Sequence, residues 1–489
     1  MVTKRIYQDR VSFAVAAVVL VAIAFCATAS GDVFASARTV SGHQIVHYKD
    51  AAVPVDLSAV PIAAYVPNGS GYNVIAGSGT SSGTFTIPGV PAGYYLLQFG
   101  TAYLWTNATK VNLDSNNGYR STIVAADSNT QWTFNLANLN AWQSTDVFEI
   151  ACPNNLSFES TLDYLYGGVL DGATAFTGTY PYVGNLSDAS QKDVYYTAQL
   201  VTQDIHGYPM PALARYYAVP KFTQAQDSNT SINGKLKTIA QTKTLEGNAN
   251  GADIATQALA VNPGATLLDT TLALDVYPGS LSKGFITDTP DLIWYQGYPG
   301  GPPEITGNGD IGPIAYGNPY PAGWSLFVIY EYDAATYYTA PGATNSHALV
   351  TNAYGYTPTL PSSTSPIAPL VGVAQTPSVN GNSFFANQSG VGLTPTLAWS
   401  APSVGTATFY RVRVYQLINN NGNTRMPIIA TLNTQGTSLQ MPPGLLAAGQ
   451  AYVFLINARY TSGLNFAKNP YFQGPSTGYA GVASGVIQP

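Results

Sequence analysis

Apolar and polar residues alternate in short runs along the chain, and the sharpest alternation lies between Thr394 and Tyr460. Leu397 and Trp399 share one parity there, and Tyr410, Val412 and Val414 alternate with Phe409, Arg411, Arg413 and Tyr415. A period of two turns one set toward a core and the charged set toward water, the pattern of a half-buried strand. Asn419-Asn420-Asn421-Gly422 follows, a run that tolerates the positive φ of a hairpin turn. Ile428 to Leu432 returns, Leu439-Gln440-Met441 runs into Pro442-Pro443-Gly444, and Tyr452, Phe454, Ile456 and Ala458 alternate again. Short strands divided by turn residues predict a two-sheet sandwich of about 90 residues.

Upstream the alternation is less regular but still strand-like. Tyr72–Ile75, Thr84–Ile87 and Tyr94–Phe99 are predicted strands, separated by the Gly/Ser loop Gly77–Gly83 and the turn Pro88–Gly93. From Ala141 to about Leu360, strand-like runs recur at Asp146–Cys152, Val194–Thr202, Ala212–Phe222, Lys235–Leu245, Thr271–Val276, Leu292–Tyr295 and Trp324–Tyr332. Their aromatic and β-branched enrichment between Gly, Pro and Asn clusters argues for strands. Ala252–Ala260 alone reads as a short helix. The middle region is expected to be one large sandwich or two small ones. Tyr356–Asn380 carries five prolines among Ser and Thr and reads as a linker. The expectation is an all-β chain of several β-sandwich domains in series: 45–135, a β-rich middle at 136–355, a Pro/Ser/Thr linker at 356–380, and 381–489.

Two stretches carry family resemblances. The L-x-W-x-x-P of Leu397–Pro402, the Y-x-V-x-V of Tyr410–Val414 and the L-x-M-P-P-G-L-L-x-x-G-x-x-Y-x-F-x-I-x-A of Leu439–Ala458 resemble the fibronectin type III family. The resemblance covers roughly residues 376–489, with a closing strand expected in Tyr479–Ile487. It implies an immunoglobulin-like sandwich used as a spacer or adhesion module, without enzymatic activity. Arg-Gly-Asp is absent from the sequence, so no integrin-type motif is carried over. The run from Gly83 to Phe99, G-T-F-T-I-P-G-V-P-A-G-Y-Y-L-L-Q-F, resembles the carboxypeptidase regulatory-like modules over about residues 50–135. That likeness implies a transthyretin-like accessory sandwich and not a peptidase.

Composition sets the surface and the compartment. Only 9% of residues are charged, against about 25% in a typical globular chain. The polar surface must therefore come from Asn, Thr, Ser, Gln, Tyr and the backbone, while 46% hydrophobic residues argue against disorder. Lys4, Arg5 and Arg10 precede an uncharged run at Val11–Phe25, and Ala27-Thr28-Ala29 fits a small-x-small cleavage site, so residues 1–29 read as a signal peptide. The fifteen-residue run would span about 22 Å as a helix, short of the ~30 Å hydrocarbon core, although an uncleaved anchor at 11–25 stays open. Bulky Phe25 directly before Cys26 fits poorly with a lipid-attachment site. A secreted or cell-surface location follows. Removing Lys4, Arg5, Arg10 and Asp9 takes the formal charge from −6 to −8, which disfavours nucleic acid. Cys152 then has no intramolecular disulfide partner and reads as a buried small hydrophobe.

Candidate chemistry is sparse, and neither a catalytic set nor a metal or cofactor is expected. Gly79–Gly83 satisfies G-x-S-x-G but leads into a strand, where a nucleophile elbow needs a helix. His43 and His47 have H-x3-H spacing, yet in an extended chain they would stand about 13 Å apart. Asp114–Gly118 resembles part of a calcium loop without its downstream Glu and reads as a turn. Glu304, Asp310, Glu331 and Asp333 form an acidic group in which Glu331 and Asp333 share a strand face, the arrangement of solvated acids more often than of a glycosidase pair. Trp294, Tyr295, Tyr298 and Trp324 are the ligand-binding candidates, since aromatic faces stack on sugars, with core packing as the competing role. The expected function is an exported, non-enzymatic binding, adhesion or scaffold protein whose partner is an extracellular polysaccharide or a surface protein. Two alternatives stand beside it: an extracellular carbohydrate-active enzyme with its catalytic domain in 141–360, and a structural subunit of a surface assembly. Two facing carboxylates in a cleft of 141–360 would favour the enzyme.

Overall fold

The longest strand among the described residues, Ser325–Tyr338, displays the rule that builds this protein. Val328, Tyr330, Tyr332 and Ala334 are buried, while Ile329, Glu331 and Asp333 lie half-buried on the opposite face. One face packs and the other stays polar, as period two requires. The computed structural model describes residues 37–69, 71–160, 171–182, 184–279, 289–472 and 474–489. The expected signal segment, 1–29, lies outside them.

The all-β expectation is correct, and the one α-helix among the described residues, Gly251–Leu259, falls on the stretch expected to be helical. The N-terminal unit comprises β1 (Arg38–His43), β2 (Ile62–Asn68), β3 (Gly71–Ala76), β4 (Thr84–Val90), β5 (Tyr95–Phe99) and β6 (Ala102–Thr106). β1 runs antiparallel to β4, while β2 lies between β3 and β5, and β5 pairs with β6. Val40, Phe85, Ile87, Leu97 and Leu104 fill the space between these two sheets.

The middle region packs one small sheet on a larger one. β7 (Gln131–Ala137), β8 (Val147–Cys152), β9 (Ala175–Pro181), β10 (Tyr196–Ile205), β11 (Tyr208–Ala218) and β12 (Asn229–Lys235) make a sandwich in which β9–β7–β12 covers β8–β10–β11. Its core is rich in rings: Trp132, Phe134, Phe148, Phe176 and Tyr195, with Cys152 among them. The predicted strand Lys235–Leu245 is instead broken into Lys237–Thr238 and Lys243–Leu245. β13 (Thr266–Tyr277), β14 (Asp291–Gly297), β15 (Ser325–Tyr338) and β16 (His347–Thr357) continue the larger sheet in the order β14–β13–β15–β16.

The C-terminal unit is a further sandwich of two sheets. β17 (Gln375–Val379), β18 (Thr396–Ser400) and β21 (Ser438–Gln440) form one, in the order β17–β18–β21. β19 (Phe409–Asn420), β20 (Ile428–Thr434), β22 (Ala451–Thr461) and β23 (Thr477–Ala483) form the other, in the order β20–β19–β22–β23. The even-numbered run read from the sequence is inside: Tyr410, Val412 and Val414 are buried with Leu397, Trp399, Leu432, Phe454 and Ile456.

The units are joined edge to edge. β16 pairs with β23 through Tyr354–Tyr479, Gly355–Gly478 and Tyr356–Thr477. β20 pairs in parallel with β6 of the N-terminal unit through Thr431–Ala102, Leu432–Tyr103 and Asn433–Leu104. A single hydrogen-bonded network of 20 strands therefore runs through the molecule. Gly355 leaves room for the Tyr330 ring of the neighbouring β15: a Cβ there would stand 2.5 Å from that ring. The Tyr330 hydroxyl in turn accepts from the Leu370 N–H at 2.8 Å.

The strands do not all stop at the expected domain edges. The N-terminal unit starts at β1, before residue 45, and β7 crosses the boundary set at 135 while belonging to the next sandwich. The units follow one another in series along the chain, and the first also pairs with the last. The expected linker at 356–380 is pinned. The Ile367 carbonyl accepts from Asn250 at 2.7 Å, its N–H donates to the Asn248 carbonyl at 2.9 Å, and Val371, Val373 and Ala374 are buried. Its last residues form β17. The apolar residues scattered among its prolines prevail, since burying them is favourable by about 25 cal/mol per Å2.

Candidate functional site

The four candidate aromatics do not share a surface. Tyr295 and Trp294 are neighbours on β14 and so point to opposite faces. Tyr295 is only 1% exposed, lies edge-on to Tyr208 at 5.8 Å, and donates its hydroxyl proton to the Pro303 carbonyl. It is a core residue, not a ligand platform. Trp294 is half-buried against the main core, on the other side of the sheet. Tyr298 sits in a tight turn, its N–H donating to the Pro302 carbonyl and its carbonyl accepting from Gly301, both at 3.0 Å. Its ring covers Gly301, where a Cβ would meet it at 2.1 Å.

Trp324 is different. It stacks on Tyr320 at 5.5 Å and 10° and meets Tyr196 edge-on at 5.6 Å, in a cluster that Tyr216 completes. With Tyr196 it lines a cleft of about 370 Å3 whose other walls come from distant parts of the chain. Lys49 and Asp50 reach it from the N-terminal unit, Asn154 follows β8, and Lys192 follows the one-turn helix Ala189–Gln191.

The wall of this cleft is built on a buried ion pair. Arg120 donates from NH2 to Asp193 Oδ2 at 2.9 Å and from Nε to Oδ1 at 3.2 Å, with the two side chains 5% and 0% exposed. Asp193 also accepts from Asn154 Nδ2 at 2.7 Å and from the Asp188 N–H at 2.9 Å. Asn154 is thereby oriented, and its Oδ1 accepts from Lys49 Nζ at 2.9 Å. Charge-assisted bonds of this kind are short and directional, so the polar wall is organised before anything binds.

A second cleft, also of about 370 Å3, opens at the β16–β23 seam. Glu331 and Asp333 line it from β15, Arg413 and Arg459 from the C-terminal sandwich, with Asn352 and Tyr479 between them. Asn352 Nδ2 donates to Glu331 Oε1 at 2.5 Å, and the Arg459 guanidinium lies 4.6 Å over the Tyr479 ring. Burial raises the Asp333 carboxyl well above the usual carboxylate range, and the Glu331 and Asp269 carboxylates add to the rise. Burial likewise pushes Asp269 up to about 6, with Glu304 contributing and a Gln296 hydrogen bond opposing it. The expected face-sharing of Glu331 and Asp333 holds, but Asp333 is not freely solvated, because it lies half-buried in the wall of the cleft that Arg413, Arg459 and Tyr479 also line. The two acids stand side by side on one strand and do not face each other across the cleft.

Among the remaining candidates, His43 and His47 do converge, against expectation. Both Nε2 atoms approach Asp114 Oδ2, at 3.4 and 2.8 Å, while Asp114 Oδ1 accepts from the Ile45 N–H at 2.8 Å. The chain changes sheets at Gln44: Arg38–His43 pairs with Thr84–Val90, and Ile45–His47 pairs with Ala52–Pro54. The strand break, not helical spacing, brings the rings together. Asp114 thus belongs to this cluster and Ser115–Asn116 is a short strand instead of the expected turn. Among the described residues, no group of three His, Cys, Asp or Glu side chains is disposed to hold a metal ion. Gly79–Gly83 leads directly into β4, and Cys152 is fully buried, its thiol pushed up to about 12 by that burial.

Sequence reasoning identified Trp324 but missed Lys49, Asn154 and Lys192. No local signal marks them, because they meet only through the packing of two units. No protein-family model and no curated protein matches this chain.

Proposed function

We propose that this is an exported, non-enzymatic surface protein that binds an extracellular polysaccharide on a rigid β scaffold. The observation that carries the reading is the cleft at Trp324, where aromatic surface, amide groups and ammonium groups converge on a wall fixed by a buried ion pair. Sugars present an apolar C–H face that stacks on aromatic rings and hydroxyls that pair with amides and cations, so this set matches them group for group. The strand orders of the two end sandwiches, β17–β18–β21 over β20–β19–β22–β23 and β1–β4 over β3–β2–β5–β6, support reading them as type III-like and regulatory-like accessory modules. Modules of both kinds serve as spacers or binding units.

A second reading, a carbohydrate-active hydrolase, is favoured by one observation: Glu331 and a proton-retaining Asp333 open into the same cleft. A carboxyl that holds its proton beside a second carboxyl is what acid–base catalysis uses. The side-by-side placement of the two acids weighs against it. One experiment separates the readings. The mature full-length chain is applied to a polysaccharide array while the solution is sampled for released sugars. Binding without release supports the surface binder, release that Glu331→Gln abolishes supports the hydrolase, and neither result overturns both.

A further inference from the structure

The cleft at Trp324 carries a charge preference as well as a shape. Arg120 lines it, but its charge is already matched by Asp193 in the buried pair. What remains is Lys49 and Lys192 against the single carboxylate of Asp50, which is itself turned to accept from the Ser121 N–H at 2.7 Å. Lys49 uses one ammonium proton on Asn154 Oδ1, and an ammonium has three to donate. Lys192 is exposed and ends the Ala189–Gln191 turn at φ 64° and ψ 28°. That left-handed conformation costs a residue with a side chain about 1 kcal/mol relative to glycine, yet a lysine stands there.

We infer that this cleft selects an anionic saccharide, a chain whose sugar units carry carboxylate or sulfate groups, with Trp324 under the ring and Lys49 and Lys192 on the anion. The inference rests on the polysaccharide reading above. A neutral sugar seated over Trp324 would strip water from the lysines without giving them a counter-charge, whereas an anionic sugar supplies one. The negative net charge of the whole chain does not oppose this. At physiological ionic strength, interactions are screened beyond about 8 Å, so the lysines in the cleft dominate what a bound sugar experiences.

The test is titration calorimetry of the full mature chain with three probes: a short oligouronate, a sulfated oligosaccharide and a neutral oligoglucan. The expected result is tighter binding to at least one anionic probe than to the neutral one, weakened by added salt. The two anionic probes distinguish carboxylate from sulfate. Lys192→Gln and Lys49→Gln should each weaken the anionic probe about two- to fivefold, in line with a single exposed charge contact, and weaken the neutral probe by less. Lys192 is exposed, so its variant tests the charge without endangering the fold. Equal affinity for all three probes would overturn the inference and leave the polysaccharide reading standing. Binding to none of them, on a chain shown to be folded, would overturn both.

Discussion

The two clefts have the same volume and both lie where one unit meets another, but they treat charge in opposite ways. At the Trp324 cleft, Asp193 is met by Arg120 and by three further donors, so one carboxylate organises the wall around it. At the β16–β23 seam, Asp269 and Asp333 are cross-strand neighbours in the register, and Glu331 stands two residues from Asp333 on the same face. Burial raises the proton affinity of Asp333 and Asp269, and the Glu331 and Asp269 carboxylates add to the rise at Asp333. A buried acid held by a cation fixes geometry, whereas the cross-strand neighbours Asp269 and Asp333 store a sensitivity to pH.

The contrast is broken most severely at Arg120. Replacing it by Met removes the cation from an Asp193 side chain that is 0% exposed, leaving an uncompensated buried charge. The expected loss is about 3–5 kcal/mol of unfolding free energy, read from urea denaturation, and it should be larger than that of Arg120→Met combined with Asp193→Leu. If the single variant unfolds at the wild-type midpoint, the pair is not what holds the wall.

At the seam the lever is pH. The Asp269 pKa is raised to about 6 in the folded state, above the ordinary carboxylate value near 4 of the unfolded chain. The folded state thus holds the proton more tightly, and the resulting stabilisation is complete below about pH 4 and is lost as pH rises through about 6. The expected decline from Asp269 is about 2–3 kcal/mol across that window, while Asp333, shifted further in the same direction, declines over the same window and continues above it. Asp269→Asn should flatten the pH 4 to 6 portion of the urea-midpoint profile relative to the wild type. Identical profiles would show that Asp269 titrates normally and that the two clefts do not differ as argued.

How much of this was legible in the chain depends on the range of the interaction. Arg411 and Arg413 were readable as the polar face of β19, because period two is a local property. That Arg413 lines one cleft with Glu331 and Asp333 was not readable, since it depends on β23 pairing with β16. Tyr295 and Trp324 looked alike in sequence, each an aromatic residue on or beside a strand. Position separates them: β14 is covered on the face that carries Tyr295, while Trp324 precedes β15 where the cleft opens. The Pro/Ser/Thr composition of 356–380 suggested a free linker, but a handful of buried apolar residues decided otherwise. His43 and His47 follow the same logic, their meeting set by a change of sheet that no spacing rule anticipates.

The finest distinction between the clefts lies at Lys192. If its left-handed backbone is tolerated because the ammonium is needed at the cleft, stability and binding should respond in opposite directions to one substitution. Lys192→Gly relieves the conformational cost while deleting the charge. The added freedom of glycine in the unfolded chain offsets part of the relief, so a gain of about 0.5 kcal/mol is expected. The same variant should bind the anionic probe about two- to fivefold more weakly. Lys192→Gln supplies the control, since it deletes the charge and keeps the strained backbone, so it should weaken binding without the gain in stability. Should glycine stabilise the protein and leave binding untouched, the strain at Lys192 serves only to end the turn after Ala189–Gln191. The cleft would then owe its selectivity to Lys49 and its aromatic floor alone.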